Sequence, residues 1–557
     1  MVVLAFAVSS CTTEVSGPAG VGGASGTGGS GGTAGSAASS GGGTGGSGAT
    51  DPGTRGVAAS TRVARLTHRQ YANTVRDLFG IADDVTSGFA PDALNGFAFD
   101  TSVDLRVDAR LGPQYRTAAE ALAERSVSEP SVFERVVGCV PSDASCADAF
   151  IRGFGLRAFR RPLADADVAR FRALFDQGAA LIASGDAFRD GVRVVVEAML
   201  QTPQFLYRAE LESTAGADEL IALDGYEIAS RLSYLIWDSM PDAALFELAA
   251  SGGLGTPEAV QTAAERMLSE PRALEKKLSF HEQALSFSRF ARITPDPETY
   301  PGLPVDFVDR VRLSSRRYVE EVVQNGGGLR ELLTAPYAFA DSALAPLYGR
   351  SVGGGLERID FTAGERKGYL MQVGFLASHA YAIKTDPIHR GLFVLRDVLC
   401  REIQDPPPGA SQTELPAGET PPTTRDEVTL LTSGPTCLGC HIDINAPGFA
   451  FEGFDAVGAA RTTENGVAVD TSGELVIDGE NFVFADAGAL VERLAGSVEA
   501  QGCYAARYLE FAHGRDLAPQ DAATRTALTG PYSADNLVMR IATSEAFRMR
   551  PVNEVGP

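Results

Sequence analysis

Between about Gly17 and Gly56 the chain is almost entirely Gly, Ser, Ala and Thr, without one aromatic residue. Nothing in that stretch can be buried, so no fold can be built on it. It is expected to be a disordered tether, roughly 35 Å in mean extension for some forty flexible residues. A folded body can therefore begin only near Thr61. The remaining chain of a 557-residue protein, 44% hydrophobic overall, has room for several domains.

Ahead of the tether, Met1 to Ser10 are nearly all apolar or small, and Cys11 follows. Val8-Ser9-Ser10-Cys11 resembles a bacterial lipobox, in which the cysteine is acylated and becomes the mature N-terminus. The alternative is an ordinary apolar start with a chance cysteine. The apolar run is short for a signal peptide and no Lys or Arg precedes it, so the true start is expected upstream of Met1. Residues 1–11 are thus read as a lipoprotein signal and 12–60 as linker. No later stretch reaches the ~18 apolar residues that span a bilayer. Membrane attachment is expected through the N-terminal lipid only, with the body exported to the periplasm, the outer membrane or the cell surface. The net charge of −23 and the lack of a basic arm exclude a nucleic-acid partner.

From Thr61 onward the periodicity is helical. Thr67 and Gln70 form a capping box, Tyr71, Val75, Leu78 and Phe79 share one face, and Gly80 ends the helix. Further helices are expected after Pro162 (Val168, Phe171, Leu174, Phe175), over 191–206 and over Tyr226–Trp237. Others are expected at 257–268, 307–323, 366–377 and 390–399. In the 191–206 stretch Val194-Val195-Val196 would also suit a strand. Strand alternation is clear only near Gly473–Phe484. The fold class is mainly α, with helical domains in series over 61–130, 147–210, 220–350, 364–465 and 485–553. Six prolines make 405–424 an extended linker inside the fourth of these.

The chemistry-bearing motif is Cys437-Leu438-Gly439-Cys440-His441. Two thiols at this spacing can add across the vinyl groups of haem, and the adjacent histidine is placed to ligate the iron. A thioredoxin-like pair would want a βαβ setting, which is absent. Structural zinc would need two more Cys or His at close spacing. A plain Cys437–Cys440 disulfide stays open, since export permits it. Covalent haem c, with His441 as proximal ligand, is the reading taken.

The seven cysteines fit this assignment. With Cys11 given to lipid and Cys437 and Cys440 to haem, four remain. Cys139 and Cys146 can close a small loop, which leaves Cys400 with Cys503, although four cysteines allow three pairings. A second axial ligand would be Met or His. Of six histidines, His379 and His389 precede the motif, and Met371 lies just upstream; His379 and Met371 are the leading candidates. For each, the simpler reading is a hydrogen-bonded or solvated histidine or a core methionine, and an open distal position remains. No nucleophile elbow, Walker loop, metalloprotease helix or dinucleotide fingerprint occurs.

Several segments together resemble one family. Arg65-Leu66-Thr67-His68-Arg69-Gln70-Tyr71 through Gly80 is similar to its first domain. Phe159-Arg160-Arg161-Pro162-Leu163 with Gln201-Thr202-Pro203-Gln204-Phe205 is similar to the second, and Leu223-Asp224-Gly225-Tyr226-Glu227 through Trp237 to the third. Asp386-Pro387-Ile388-His389-Arg390-Gly391, the cysteine motif and Gly448-Phe449-Ala450-Phe451-Glu452-Gly453-Phe454-Asp455 resemble the fourth. Tyr508-Leu509-Glu510-Phe511-Ala512-His513-Gly514-Arg515 resembles the last. The family is the multi-domain, cytochrome-c-like exported proteins of planctomycetes and myxobacteria, built from domains of unknown function 1587, 1595, 1592, 1588 and 1585 in series. The stretch after the motif also resembles the haem segments of dihaem peroxidases, which read Asp-Pro-x-Gly-Phe. Here Asn445-Ala446 stands for Asp-Pro, and only one haem motif is present.

These readings imply an exported single-haem electron carrier with an unidentified redox partner. The first alternative is a peroxidase- or oxygenase-like haem enzyme with an open distal site. The second is a non-redox scaffold or binding lipoprotein with a Cys437–Cys440 disulfide.

Overall fold

The first predicted helix shows how locally this chain specifies its elements. It runs His68–Phe79. Thr67 Oγ1 accepts the Gln70 N–H at 3.1 Å and Gln70 Oε1 accepts the Thr67 N–H at 3.3 Å. Gly80 closes the helix in the left-handed conformation at φ 75°, which costs glycine little. Tyr71, Val75, Leu78 and Phe79 are buried, the face that the periodicity marked. Asp224 and Glu227 make a second capping box at the head of the Gly225–Ile236 helix.

The computed structural model describes residues 57–58, 61–93, 96–211, 220–362, 364–406, 415–416 and 418–552. Cys11, the signal-like segment and the tether to residue 56 lie outside them, as do 407–414 of the Pro-rich stretch. The described chain is mainly helical. Its strands form antiparallel two-stranded ribbons only. Among the described residues no helix is long and apolar enough to cross a membrane.

Segments that follow one another in sequence close on each other in space. The Val63–Arg65 strand pairs with Tyr207–Ala209, joining the ends of the first 150 folded residues. Leu220–Ala222 pairs with Met549–Pro551, tying the start of the next segment to the end of the described chain. Two hydrophobic cores result. One gathers residues from Leu66 to Met240, including Tyr71, Phe150, Phe154 and Val195. The larger gathers residues from Phe99 to Phe547, including Trp237, Phe280, Phe375 and Leu490.

Four expected elements differ in detail. The 191–206 stretch is helical, as Ala187–Leu200, and Pro203 then begins a separate turn capped by Thr202. Tertiary burial of Val194, Val195 and Val196 overrides their strand propensity. The single helix expected over 366–377 is broken by Gly368, at φ 66°, into a 3-10 turn Tyr369–Met371 and a short helix Val373–Ser378. A Cβ at Gly368 would fall 1.9 Å from the Leu333 carbonyl oxygen, so close backbone packing sets the break. The helix expected at 390–399 starts earlier, at Pro387 with Asp386 as its cap, and passes at Val394–Val398 into a π-helical turn. The strand signal near residue 473 becomes the hairpin Gly473–Ile477 with Glu480–Phe484.

Both expected disulfides are present, Cys139–Cys146 and Cys400–Cys503. The second closes a 103-residue separation. It joins the segment before the Cys-x-x-Cys helix to the Val498–His513 helix.

Candidate haem-attachment site

Pro435, placed at N1 where its missing N–H costs nothing, starts a helix that runs Pro435–Phe449. Cys437 and Cys440 lie one turn apart in its first half, with His441 next to the second. Both thiols are free, so the Cys437–Cys440 disulfide of the scaffold reading is not formed. Cys440 is exposed and Cys437 half-buried. Beside them Leu438 and Ile442 are 49% and 66% exposed. Apolar side chains left in water next to two free thiols suit a planar apolar group attached there, which would cover them.

His441 is held from behind. Its Nδ1 lies 2.9 Å from Asn445 Oδ1, one turn further along the helix. The Asn445 amide donates to Thr432 Oγ1 at 2.8 Å, and Thr432 donates to the Val428 carbonyl at 2.7 Å. Because the amide N–H faces Thr432, the Asn445 oxygen faces the imidazole. The ring proton then sits on Nδ1 and the Nε2 lone pair is left for a metal. Asn445 is the position at which the peroxidase pattern carries Asp, so a neutral amide here fills the place in doubt. Cys437, Cys440 and His441 together fit covalent haem c, with Asn445 and Thr432 orienting the ligand.

The helix is clamped at its other end. A Cβ at Gly448 would lie 1.9 Å from the Pro387 carbonyl oxygen, and one at Gly391 would lie 1.9 Å from that of Ile444. The Pro387–Phe393 and Pro435–Phe449 helices therefore run antiparallel in backbone contact. This directs the π-helical turn Val394–Val398 toward the cysteine end. Arg390, fully buried, donates to the carbonyls of Leu376 (3.1 Å), His379 (3.1 Å) and Phe451 (3.0 Å). Its charge faces Glu452, also fully buried, which takes Arg461 at 2.8 Å and the Thr385 hydroxyl at 2.7 Å. Burial pushes the Glu452 carboxyl up, and the Arg390 guanidinium opposes that shift.

The three distal candidates differ in their surroundings. His379 is buried, its ring 4.4 Å from that of Phe375 and 5.5 Å from that of Phe393, with Nδ1 on the Phe375 carbonyl at 2.9 Å. Burial, and then the nearby Arg289 charge, pushes it down to about 3. Met371 is buried in the 3-10 turn. His389 is 45% exposed and bonds Asp386 at 2.6 Å. Its place in the helix, two residues from both Pro387 and Gly391, turns it away from the clamped face. Among the described residues no group of three His, Cys, Asp or Glu side chains is arranged to hold a metal ion by itself.

The Asn445–Thr432 relay and the Arg390–Glu452 pair were not singled out from the sequence. The i,i+4 spacing of His441 and Asn445 was a signal for the first. Arg390 and Glu452 stood within motifs quoted only for resemblance.

Two antiparallel helices in backbone contact thus present the partly exposed Cys-x-x-Cys-His turn. Five family models, each described as a protein of unknown function, match in series: DUF1587 over 64–128, DUF1595 over 146–210, DUF1592 over 223–349, DUF1588 over 366–464 and DUF1585 over 478–547. The chain belongs to the multi-domain, cytochrome-c-like families of planctomycetes. No curated protein and no solved structure matches it.

Proposed function

We propose that the protein is an exported, lipid-anchored c-type cytochrome that relays electrons through a single haem. Cys437 and Cys440 would hold the haem by thioether bonds and His441 would ligate its iron. When bound, the haem supplies one-electron redox chemistry. The Asn445–Thr432 relay holds the imidazole in the ligating tautomer, and the Gly391–Gly448 contact fixes the helix that carries it. The observation that carries this reading is His441 Nδ1 hydrogen-bonded through Asn445 to Thr432, one residue from a free, exposed thiol. The lipobox-like Val8-Ser9-Ser10-Cys11 and the Gly/Ser-rich stretch after it support attachment of the body to a membrane surface through an acylated Cys11.

One observation favours an open distal side, the peroxidase- or oxygenase-like alternative. His379 and Met371 are packed in the interior rather than on the exposed face of the cysteines.

An alkaline pyridine haemochrome spectrum on protein made with a haem c maturation system tests the assignment. One covalent haem per chain is expected, lost in the Cys437→Ala, Cys440→Ala double variant. Colourless wild-type protein with those cysteines paired would overturn it. A six-coordinate ferric spectrum would then support electron transfer, and a five-coordinate one the enzyme.

A further inference from the structure

The Pro130–Val137, Cys146–Phe159 and Ala243–Ala250 helices line a groove of about 670 Å³, within the range that holds a drug-sized ligand. Gly153, Leu156 and Arg157 contribute one stripe of the second helix, with Arg135 from the first. Ala243, Phe246 and Ala250 contribute one stripe of the third. Tyr226 and Met240 complete a lining that is mostly apolar. None of these residues belongs to the Cys-x-x-Cys helix, so the groove is independent of the haem assignment.

Its charged groups fall into two sets. Asp77, Asp242 and Arg272 are satisfied within the protein. The Asp77 carboxylate accepts the Ser239 hydroxyl at 2.6 Å, and Asp242 takes Arg266 at 2.9 Å and Arg272 at 3.6 Å. Arg272 also lies over the Trp237 ring and pairs with Glu270 at 2.9 Å. Arg135 and Arg157 differ. Arg135 donates through Nε and Nη2 to the Asp77 carbonyl, at 3.2 and 2.7 Å. Arg157, half-buried, donates to the carbonyls of Gly153, Arg135 and Val136 at 3.3, 3.1 and 3.1 Å. Those bonds fix both guanidinium groups without neutralising either charge, and each Nη1 keeps its N–H groups unspent. Neither arginine makes an ion pair among the described residues, whereas Arg152, on the same helix as Arg157, takes Asp165 at 2.9 Å. Burial, and then the Arg135 charge, pushes the Arg157 guanidinium down. The remaining charge, Glu247, is exposed, and solvent and salt screen it.

Two neighbouring cations without counter-ions stand out in a chain of net charge −23, and like charges at close range disfavour each other. An anion between them would relieve that repulsion, and an apolar body would cover the stripe of Ala243, Phe246 and Ala250. We propose that this groove binds a single-chain amphiphile of the fatty-acid class, its carboxylate taken by Arg135 and Arg157 and its chain by the apolar lining. The planar arginine fork matches a carboxylate head. Beyond the charged groups only the Tyr226 hydroxyl offers a polar side chain, too few for the hydrogen bonds that a peptide or a nucleotide would bring.

The test is titration calorimetry of the full chain with dodecanoate below its micellar concentration, against dodecanol and acetate. Dodecanoate is expected to bind saturably at one per chain, dodecanol about tenfold more weakly and acetate undetectably. Arg135→Gln should weaken dodecanoate about tenfold, the loss of one hydrogen bond to a charged partner, and leave dodecanol unchanged. Arg157→Gln should act in the same way. Ala250→Trp, which fills the groove from an exposed helical position, should abolish binding of both. No binding of dodecanoate, binding that never saturates, binding equal to that of dodecanol, or binding that survives Ala250→Trp would overturn the proposal. If Arg157→Gln does not fold, Arg135→Gln decides: weaker dodecanoate with dodecanol unchanged supports the site, and equal loss or no loss of both overturns it.

Discussion

In the second half of the Pro435–Phe449 helix, Ile444, Pro447, Gly448 and Phe449 are buried against neighbouring elements. In the first half Thr436, Leu438, Gly439 and Cys440 are exposed. One end is fixed by backbone contact with the Pro387–Phe393 helix and by Arg390. The other is held by the hydrogen bonds behind His441. The difference divides one helix in two: the clamped half is fixed by packing, and the exposed half leaves two free thiols and an imidazole at its surface. Substitutions in the two halves should therefore differ sharply in their effect on stability.

The largest contrast is expected at Arg390. Arg390→Met leaves buried Glu452 with Arg461 and the Thr385 hydroxyl and removes four carbonyl contacts, at a cost of about 3–5 kcal/mol. Cys440→Ala in haem-free protein should change stability by less than about 0.5 kcal/mol, as exposed positions do. Urea unfolding of both variants measures the contrast, and similar midpoints would remove the division between the halves.

Acid should loosen the clamped half first. His379, whose carbonyl accepts from Arg390, is held at about 3 in the fold, so the unfolded chain binds the extra proton below the ordinary value of about 6.5. Its contribution is complete above that value and is lost as pH falls toward 3, by about 1.4 kcal/mol per pH unit. His281, pushed down to about 4 by burial, acts in the same sense. Asp397, pushed up to about 6 by burial, acts oppositely, since the fold keeps its proton and loses stability as pH rises from about 4 to 6. Unfolding midpoints at pH 6.5, 5.5 and 4.5 should therefore fall less steeply in His379→Phe than in wild type. Equal slopes would mean that His379 is not sealed in the fold.

Smaller still is the effect of filling the helix contact. Gly448→Ala forces its methyl into the Pro387 carbonyl oxygen, and the helices must part, at about 1–3 kcal/mol. Gly439→Ala, where nothing lies within 4 Å, should stabilise slightly through helix propensity. A circular-dichroism melt of the pair distinguishes them.

The division was only partly visible in the sequence. Capping residues such as Thr67 and Gln70 announce a helix because the signal is local. The Cys-x-x-Cys-His turn is equally local, and so is the small Cys139–Cys146 loop. What was hidden is non-local. The pairing of Val63–Arg65 with Tyr207–Ala209 joins chain ends that no periodicity relates. The break at Gly368 is caused by Leu333, and the need for glycine at 391 and 448 arises only when two helices touch.

The finest test of the exposed half concerns Asn445. Its neutral oxygen faces His441 Nδ1, whereas a carboxylate there would draw the ring proton more strongly and make Nε2 a stronger donor to iron. A stronger donor stabilises the oxidised metal, so Asn445→Asp should lower the midpoint potential of the haem-loaded protein. About 1 kcal/mol of added stabilisation corresponds to a fall on the order of 40 mV in a one-electron couple. Asn445→Ala, which leaves Nδ1 unpartnered, should broaden the spectrum of the oxidised form as the ring loses its fixed orientation. Spectroelectrochemical titration reads the first effect directly. An unchanged or higher potential in Asn445→Asp would mean that the residue behind His441 orients the ring without tuning it, and that the exposed half, like the clamped half, contributes position alone.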